Sequence, residues 1–347
     1  MTTPTLKQGT LTLADHFTGT LHTYKAKFWL FISLALAPMA VLVAALVIVS
    51  LIVAAALAAT GVDASGPSLG ILLLGGLAFF AVLFGVMLFQ YRCQAMTSLA
   101  TRDLSAGYEP GWRDLMERTR GFSGRMALLL LALLAAAFAV YALLAAIIVV
   151  PLIQASVTGD DEAAVAVLGT MAFVMLLFLA LGVVAVFLNV RWLYLIPAMG
   201  IEQVSGFDGL RSSWRLTRGA FWPTLGYYLL IGLAISIPSY VISMLLQVLL
   251  MPLTAASQTG NDVSAAAIVG AVVAGLLQFL LTVVLQPVTA IFITVMYLNR
   301  HRQLAGEPPS YAYGQGFGPG PGPQGYGPQG YGPQGYGPQG SGPAPQA

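Results

Sequence analysis

Three arginines, Arg211, Arg215 and Arg218, recur at i, i+4 and i+7 through the segment 205–222. On a helix they form one cationic stripe, and Phe207, Leu210, Trp214 and Phe221, at i, i+3, i+7 and i+14, form an apolar stripe beside it. A short helix of that pattern belongs at a membrane-water boundary, where each arginine gains about 1 kcal/mol from an anionic leaflet. Trp214 and Trp222 then sit at headgroup level. The chemistry such residues perform is contact with lipid headgroups; a specific phosphate or headgroup site is the sharper version of the same idea. Weaker copies lie upstream. Lys25 and Lys27 precede Phe28 and Trp29, and Arg113 and Arg120 flank a stripe of Trp112, Leu115, Thr119 and Phe122.

Other reactive side chains are few. His16 and His22 are six apart, which does not bring them onto one helical face, and His301 stands alone. No metal-binding spacing appears among them, and the pair Asp15-His16 reads as surface polarity. The single cysteine, Cys93, rules out an internal disulfide and reads as a small apolar residue near the end of a span. No nucleophile elbow, phosphate loop or paired intramembrane carboxylate is present. Neither a cofactor nor an enzymatic activity is expected. Gln278 and Gln286, eight apart, fall roughly on one face and define a candidate polar path, although glutamines at such positions commonly bond across helix interfaces.

The elements that must position these residues are membrane helices. Hydrophobic residues make up 58% of the chain and charged residues 8%, against roughly 25% charged in a soluble domain. Six apolar runs, at about 28–59, 69–90, 126–152, 163–188, 221–250 and 265–298, each reach the ~20 residues that cross a hydrocarbon core. None contains an ionisable Asp, Glu, Lys, Arg or His. The first run is too long for the apolar part of a cleavable signal and is expected to stay in the membrane. The connections 60–68, 153–162 and 251–264 carry Asp63, Asp160, Asp161, Glu162 and Asp262 but no basic residue. All 15 lysines and arginines lie on the other side. The positive-inside rule then places both termini and the two long loops in the cytoplasm. A net charge of +2 points to no nucleic-acid partner.

The entries to the first, third and fifth spans share a pattern. Thr23, Thr119 and Thr217 each end an amphipathic segment, 96 and 98 residues apart. The expected architecture is all-α and integral to the membrane: six transmembrane helices as three hairpins, each preceded by a cytoplasmic interfacial amphipathic helix. Spans two and four continue as apolar helix past membrane thickness, the latter through Trp192 to Met199. Residues 1–10 form a polar lead, 11–305 the membrane domain and 306–347 a tail in which Gly-Pro-Gln-Gly-Tyr repeats every five residues. With no aliphatic residue larger than alanine past Pro308, the tail is expected to be disordered. It reads as a solvated spacer, with its tyrosines offering weak adhesive sites to protein partners.

The stretch from Leu210 to Trp222, preceded by Ile196-Pro-Ala-Met-Gly-Ile-Glu202, resembles the signature of a family of bacterial six-span proteins. That family is the membrane domain of glycerophosphoryl diester phosphodiesterase and related domains of unknown function. The opening from Leu11 to Phe17, with Tyr24 to Trp29, is similar to the family's N-terminal entry, so the resemblance covers about 10–305. It implies a six-span fold in a bacterial cytoplasmic membrane. It implies no phosphodiesterase activity, which family members that have it carry on a separate soluble domain. The expected function is non-enzymatic: contact with anionic lipid of the inner leaflet and organisation of partners at the cytoplasmic face. The alternative is a transporter or export component for a lipid or small apolar solute. Oligomeric state is not legible in these residues.

Overall fold

The computed structural model describes residues 11–60, 69–158, 161–255 and 265–305, and among them every regular element is a helix. Six helices are long: α2 (Phe28–Thr60), α3 (Leu69–Ser105), α5 (Phe122–Thr158), α6 (Asp161–Trp192), α9 (Phe221–Ala255) and α10 (Ala265–Ala305). Four are short: α1 (Leu13–Ala26), α4 (Trp112–Arg118), α7 (Leu195–Ile201) and α8 (Gly206–Thr217). Each long helix holds a stretch long and apolar enough to cross a membrane, with mean hydropathy from 2.2 to 2.9. At 1.5 Å per residue the 37 residues of α3 reach about 55 Å, well beyond the ~30 Å hydrocarbon core, so its basic end projects past it. The acidic connections fall largely outside the described residues, as do 1–10 and 306–347.

Local sequence explains where the short helices start and stop. Thr12 and Asp15 form a reciprocal capping box at the head of α1, and Ser205 accepts the backbone N–H of Asp208 at the head of α8. Gly121 and Gly219 take positive φ of 82° and 78°, each two residues past the threonines Thr119 and Thr217, and turn the chain into α5 and α9. The expected apolar continuation of the fourth span through Met199 is corrected: the helix breaks between α6 and α7. Pro197 is the reason, because its ring would strike the carbonyl of residue 193 and it has no N–H to donate. Restarting the helix at Leu195 places Pro197 in a first turn, where it costs little.

Long helices that follow one another in sequence pack together, α2 on α3, α5 on α6 and α9 on α10, and α3 and α10 meet at the centre. There Thr294 donates to Ser98 at 3.0 Å, both buried. Ala95 lies under Gly200, where an added Cβ would come within 3.1 Å of the Ala95 Cβ, so α7 lies close against α3. Packing is concentrated at one end of the long helices, the end that carries the basic residues. Phe31, Leu34, Met96, Leu99, Phe122, Met199, Phe292 and Val295 are all under 2% exposed, whereas Val43, Leu51, Leu74, Phe138, Met175 and Met244, nearer the other ends, stand open.

The inward faces of α1 and α8 are not their apolar ones. Helix α1 buries His16, Gly19, Thr20, Thr23 and Tyr24; α8 buries Gly206, Gly209, Ser212, Ser213, Leu216 and Thr217. Leu13, Leu21, Phe207 and Trp214 point outward. Gly206 and Gly209 are needed for this approach. A Cβ on Gly206 would fall 2.7 Å from the Leu129 Cβ, and one on Gly209 would fall 2.6 Å from Cγ of Met199.

Candidate lipid-contact face

The arginines divide by what holds them. Arg118 pairs with Asp103 and, at 3.2 Å, with Asp114. Arg125 donates to the Gln203 carbonyl, and Gln203, a non-glycine residue at φ 56°, donates back to the Arg118 carbonyl. Arg300 donates to the carbonyl of Leu216 at 3.1 Å. Arg92 and Arg191 hold the same kind of joint: the Arg92 guanidinium donates to Thr119 Oγ1 at 3.2 Å and that of Arg191 to Thr217 Oγ1 at 3.3 Å. Arg92 thus ties α3 to the threonine that follows α4, and Arg191 ties the end of α6 to the threonine that closes α8.

Arg211, Arg215 and Arg218 are exposed and have no acidic or hydrogen-bonding side-chain partner among the described residues. With Trp192, Leu210 and Trp214 they line a groove of about 460 Å³ between the end of α6 and the outer face of α8. No acidic side chain lines it. What fixes this face is the small, hydroxyl-bearing inner side of α8. Ser213, fully buried, donates to the Arg191 carbonyl at 2.7 Å and accepts the Tyr194 N–H at 3.1 Å, so one hydroxyl satisfies both backbone ends of the α6–α7 break. Thr217 bonds back to the Ser213 carbonyl at 3.0 Å. Arg191 lies in an aromatic enclosure, its guanidinium carbon 4.7 Å from the Trp214 ring centre, 5.2 Å from Phe187 and 5.6 Å from Phe221.

The remaining sequence-selected residues are placed as follows. Trp222 and Trp29 are the most open of the aromatic anchors, 77% and 79% exposed; Trp214 shares itself between the surface and Arg191. Lys25, Arg113 and Arg120 are exposed. Lys27 is engaged by protein: its ammonium donates to Glu109 at 3.0 Å, and that hydrogen bond with the lysine's charge holds the Glu109 carboxyl below its usual range. The two glutamines differ in their surroundings. Gln278 accepts a hydrogen bond from Ser243 at 2.7 Å, whereas Gln286, two turns on, keeps a buried Oε1 with no partner among the described residues.

Two buried groups escaped the sequence reading. Asp15-His16 is not surface polarity: Asp15 caps α1, and His16 is 1% exposed. Its Nδ1 lies 2.7 Å from the Thr12 carbonyl, which only accepts, so Nδ1 carries the proton. Nε2 is then the acceptor for the Asn299 amide at 3.3 Å, while Asn299 Oδ1 accepts the Leu11 N–H. Burial pushes the His16 imidazole below its ordinary value. Tyr297 donates to Glu202, which His301 approaches at 3.7 Å. Partners so distant in sequence leave no local spacing signal. Among the described residues no three metal-ligating side chains converge.

Comparison with known proteins adds one match. Residues 165–312 match the family model described as the membrane domain of glycerophosphoryl diester phosphodiesterase. The match runs from within α6 through α10, the part that holds the α8 face, and it is to a membrane domain rather than to a catalytic part. No curated protein and no solved structure matches the chain.

Proposed function

We propose, taking that membrane-domain match as the premise, that this is a non-enzymatic protein of a bacterial cytoplasmic membrane that gathers anionic lipid at its inner surface. Three hairpins cross the bilayer, with α1, α4 and α8 lying in the inner interface and both termini in the cytoplasm. The distribution of charge supports this orientation, since every basic residue among the described ones lies on the side of the packed ends.

The observation that carries the proposal is the unpartnered triad Arg211, Arg215 and Arg218 around a groove walled by Trp192 and Trp214. Arginine forks suit the oxygens of a phosphate, and indole rings suit the headgroup level. At about 1 kcal/mol per arginine, the triad favours an anionic over a zwitterionic neighbour by up to about a hundredfold. Lys25, Arg113, Arg120, Trp29 and Trp222 extend the same surface, and Lys27 sets the α2 entry through Glu109. Organisation of protein partners through the tail belongs to the same proposal.

The test is native mass spectrometry of the purified protein released from mixed phosphatidylglycerol–phosphatidylcholine nanodiscs. The wild type is expected to retain phosphatidylglycerol selectively, and the Arg211→Gln, Arg215→Gln, Arg218→Gln variant to lose that selectivity. Equal retention by both proteins would remove the basis of the proposal. Reporter enzymes fused after Gly260 and after Gly306 test the orientation; cytoplasmic activity at Gly260 would refute it.

A further inference from the structure

A second recess lies far from the arginines. Helices α9 and α10 pack tightly near their basic ends, where Ile231 and Val283 are, among the described residues, the last buried apolar ones along each. Beyond them α9, with Gln278 from α10, lines an open crevice of about 590 Å³ along which Tyr240 and Met244 stand exposed. Counted from Trp222 at 1.5 Å per residue, Ser236 lies about 21 Å and Gln247 about 37 Å along α9. The crevice therefore runs through the half of the bilayer remote from α8.

Its lining combines two chemistries. Val241 and Met244 present apolar wall, while Ser236, Ser239, Tyr240, Ser243, Gln247 and Gln278 present neutral hydrogen-bonding groups, and no charged side chain contributes. Ser239 spends its proton on the Ile235 carbonyl and Ser243 on Gln278 Oε1, both at 2.7 Å. Their hydroxyl oxygens remain acceptors and the Gln278 amide N–H remains a donor. At that depth polar groups facing hydrocarbon are costly unless bonded, and an ionised headgroup would find no counter-charge.

We infer that this crevice binds an uncharged amphiphile whose hydroxyl or carbonyl group bonds to the Ser239, Ser243 and Gln278 cluster and whose apolar chain lies along Val241 and Met244. The site is independent of the α8 face and of anionic lipid.

The experiment uses the full chain in phosphatidylcholine nanodiscs with a photoactivatable diacylglycerol, and in parallel a photoactivatable phosphatidylglycerol. The neutral probe is expected to mark residues 235–247, to be displaced by unlabelled diacylglycerol, and to lose about fivefold in crevice labelling on Ser243→Leu or Gln278→Leu. Competition on the wild type needs no variant to fold. Labelling spread evenly over the long helices, failure to compete, or equal crevice labelling by the anionic probe would overturn the inference. A second copy crosslinked through a Tyr240→Cys variant, with no lipid adduct, would overturn it in favour of self-association.

Discussion

Ser212 and Ser213 are adjacent, both buried, and chemically identical, yet the structure assigns them opposite energetics. Ser213 carries two hydrogen bonds that close the α6–α7 break. Replacing it with alanine strands a buried Tyr194 N–H and the Arg191 carbonyl. Each stranded group costs about 1–3 kcal/mol, and allowing for partial relaxation the Ser213→Ala loss should be about 2–3 kcal/mol. Ser212 Oγ is also buried but has no hydrogen-bond partner among the described residues. Ser212→Ala removes an unsatisfied hydroxyl and should be neutral, or stabilising by up to about 1 kcal/mol. Thermal unfolding of the two variants in the same detergent reads the difference: a Tm drop on the order of 5 °C for Ser213→Ala and none for Ser212→Ala. Equal shifts would refute the assignment of Ser213 as the clamp of the break and, with it, the account of how α8 is held.

Further outcomes follow from the same contacts. Gly206→Ala should destabilise by about 1–3 kcal/mol, because the new Cβ meets the Leu129 Cβ and the Arg125 carbonyl rather than a flexible chain end; the melting temperature checks it. His16 is neutral when folded, and its imidazole is depressed from an unfolded value of 6.5, so the unfolded chain binds the extra proton. Stability is therefore full above pH 6.5 and declines as the pH falls through that value, and His16→Gln should flatten this part of a melting profile recorded against pH. Glu109→Gln removes an exposed ion pair with Lys27 and should leave the unfolding midpoint of a chemical-denaturation series unchanged.

The sequence shows the long helices well because a lipid solvent writes them as uninterrupted apolar runs, and the charge-free interiors of those runs set their number. It shows α1, α4 and α8 too; α4 packs through Leu115 of its expected stripe, but α8 docks through another face. Hydrophobic periodicity in α8 traces Phe207, Leu210 and Trp214, the side turned outward, whereas the docking side is glycine, serine and threonine, which carry no hydropathy signal. The break after Trp192 was written in Pro197, yet the apolar character of Leu193 to Met199 masks it. The Arg191 enclosure, the His16–Asn299 contact and the Arg92–Thr119 joint each need residues brought together from separate helices, so no local pattern announces them. The repeated threonines did register, and the structure gives two of them a common task.

The central claim, selective gathering of anionic lipid around α8, is tested most directly by tryptophan fluorescence with brominated lipids. Brominated phosphatidylglycerol should quench the wild-type emission at a lower mole fraction than brominated phosphatidylcholine, because it collects beside Trp192, Trp214 and Trp222. The two curves should merge in the Arg211→Gln, Arg215→Gln, Arg218→Gln variant. Coincident curves for the wild type would contradict the account.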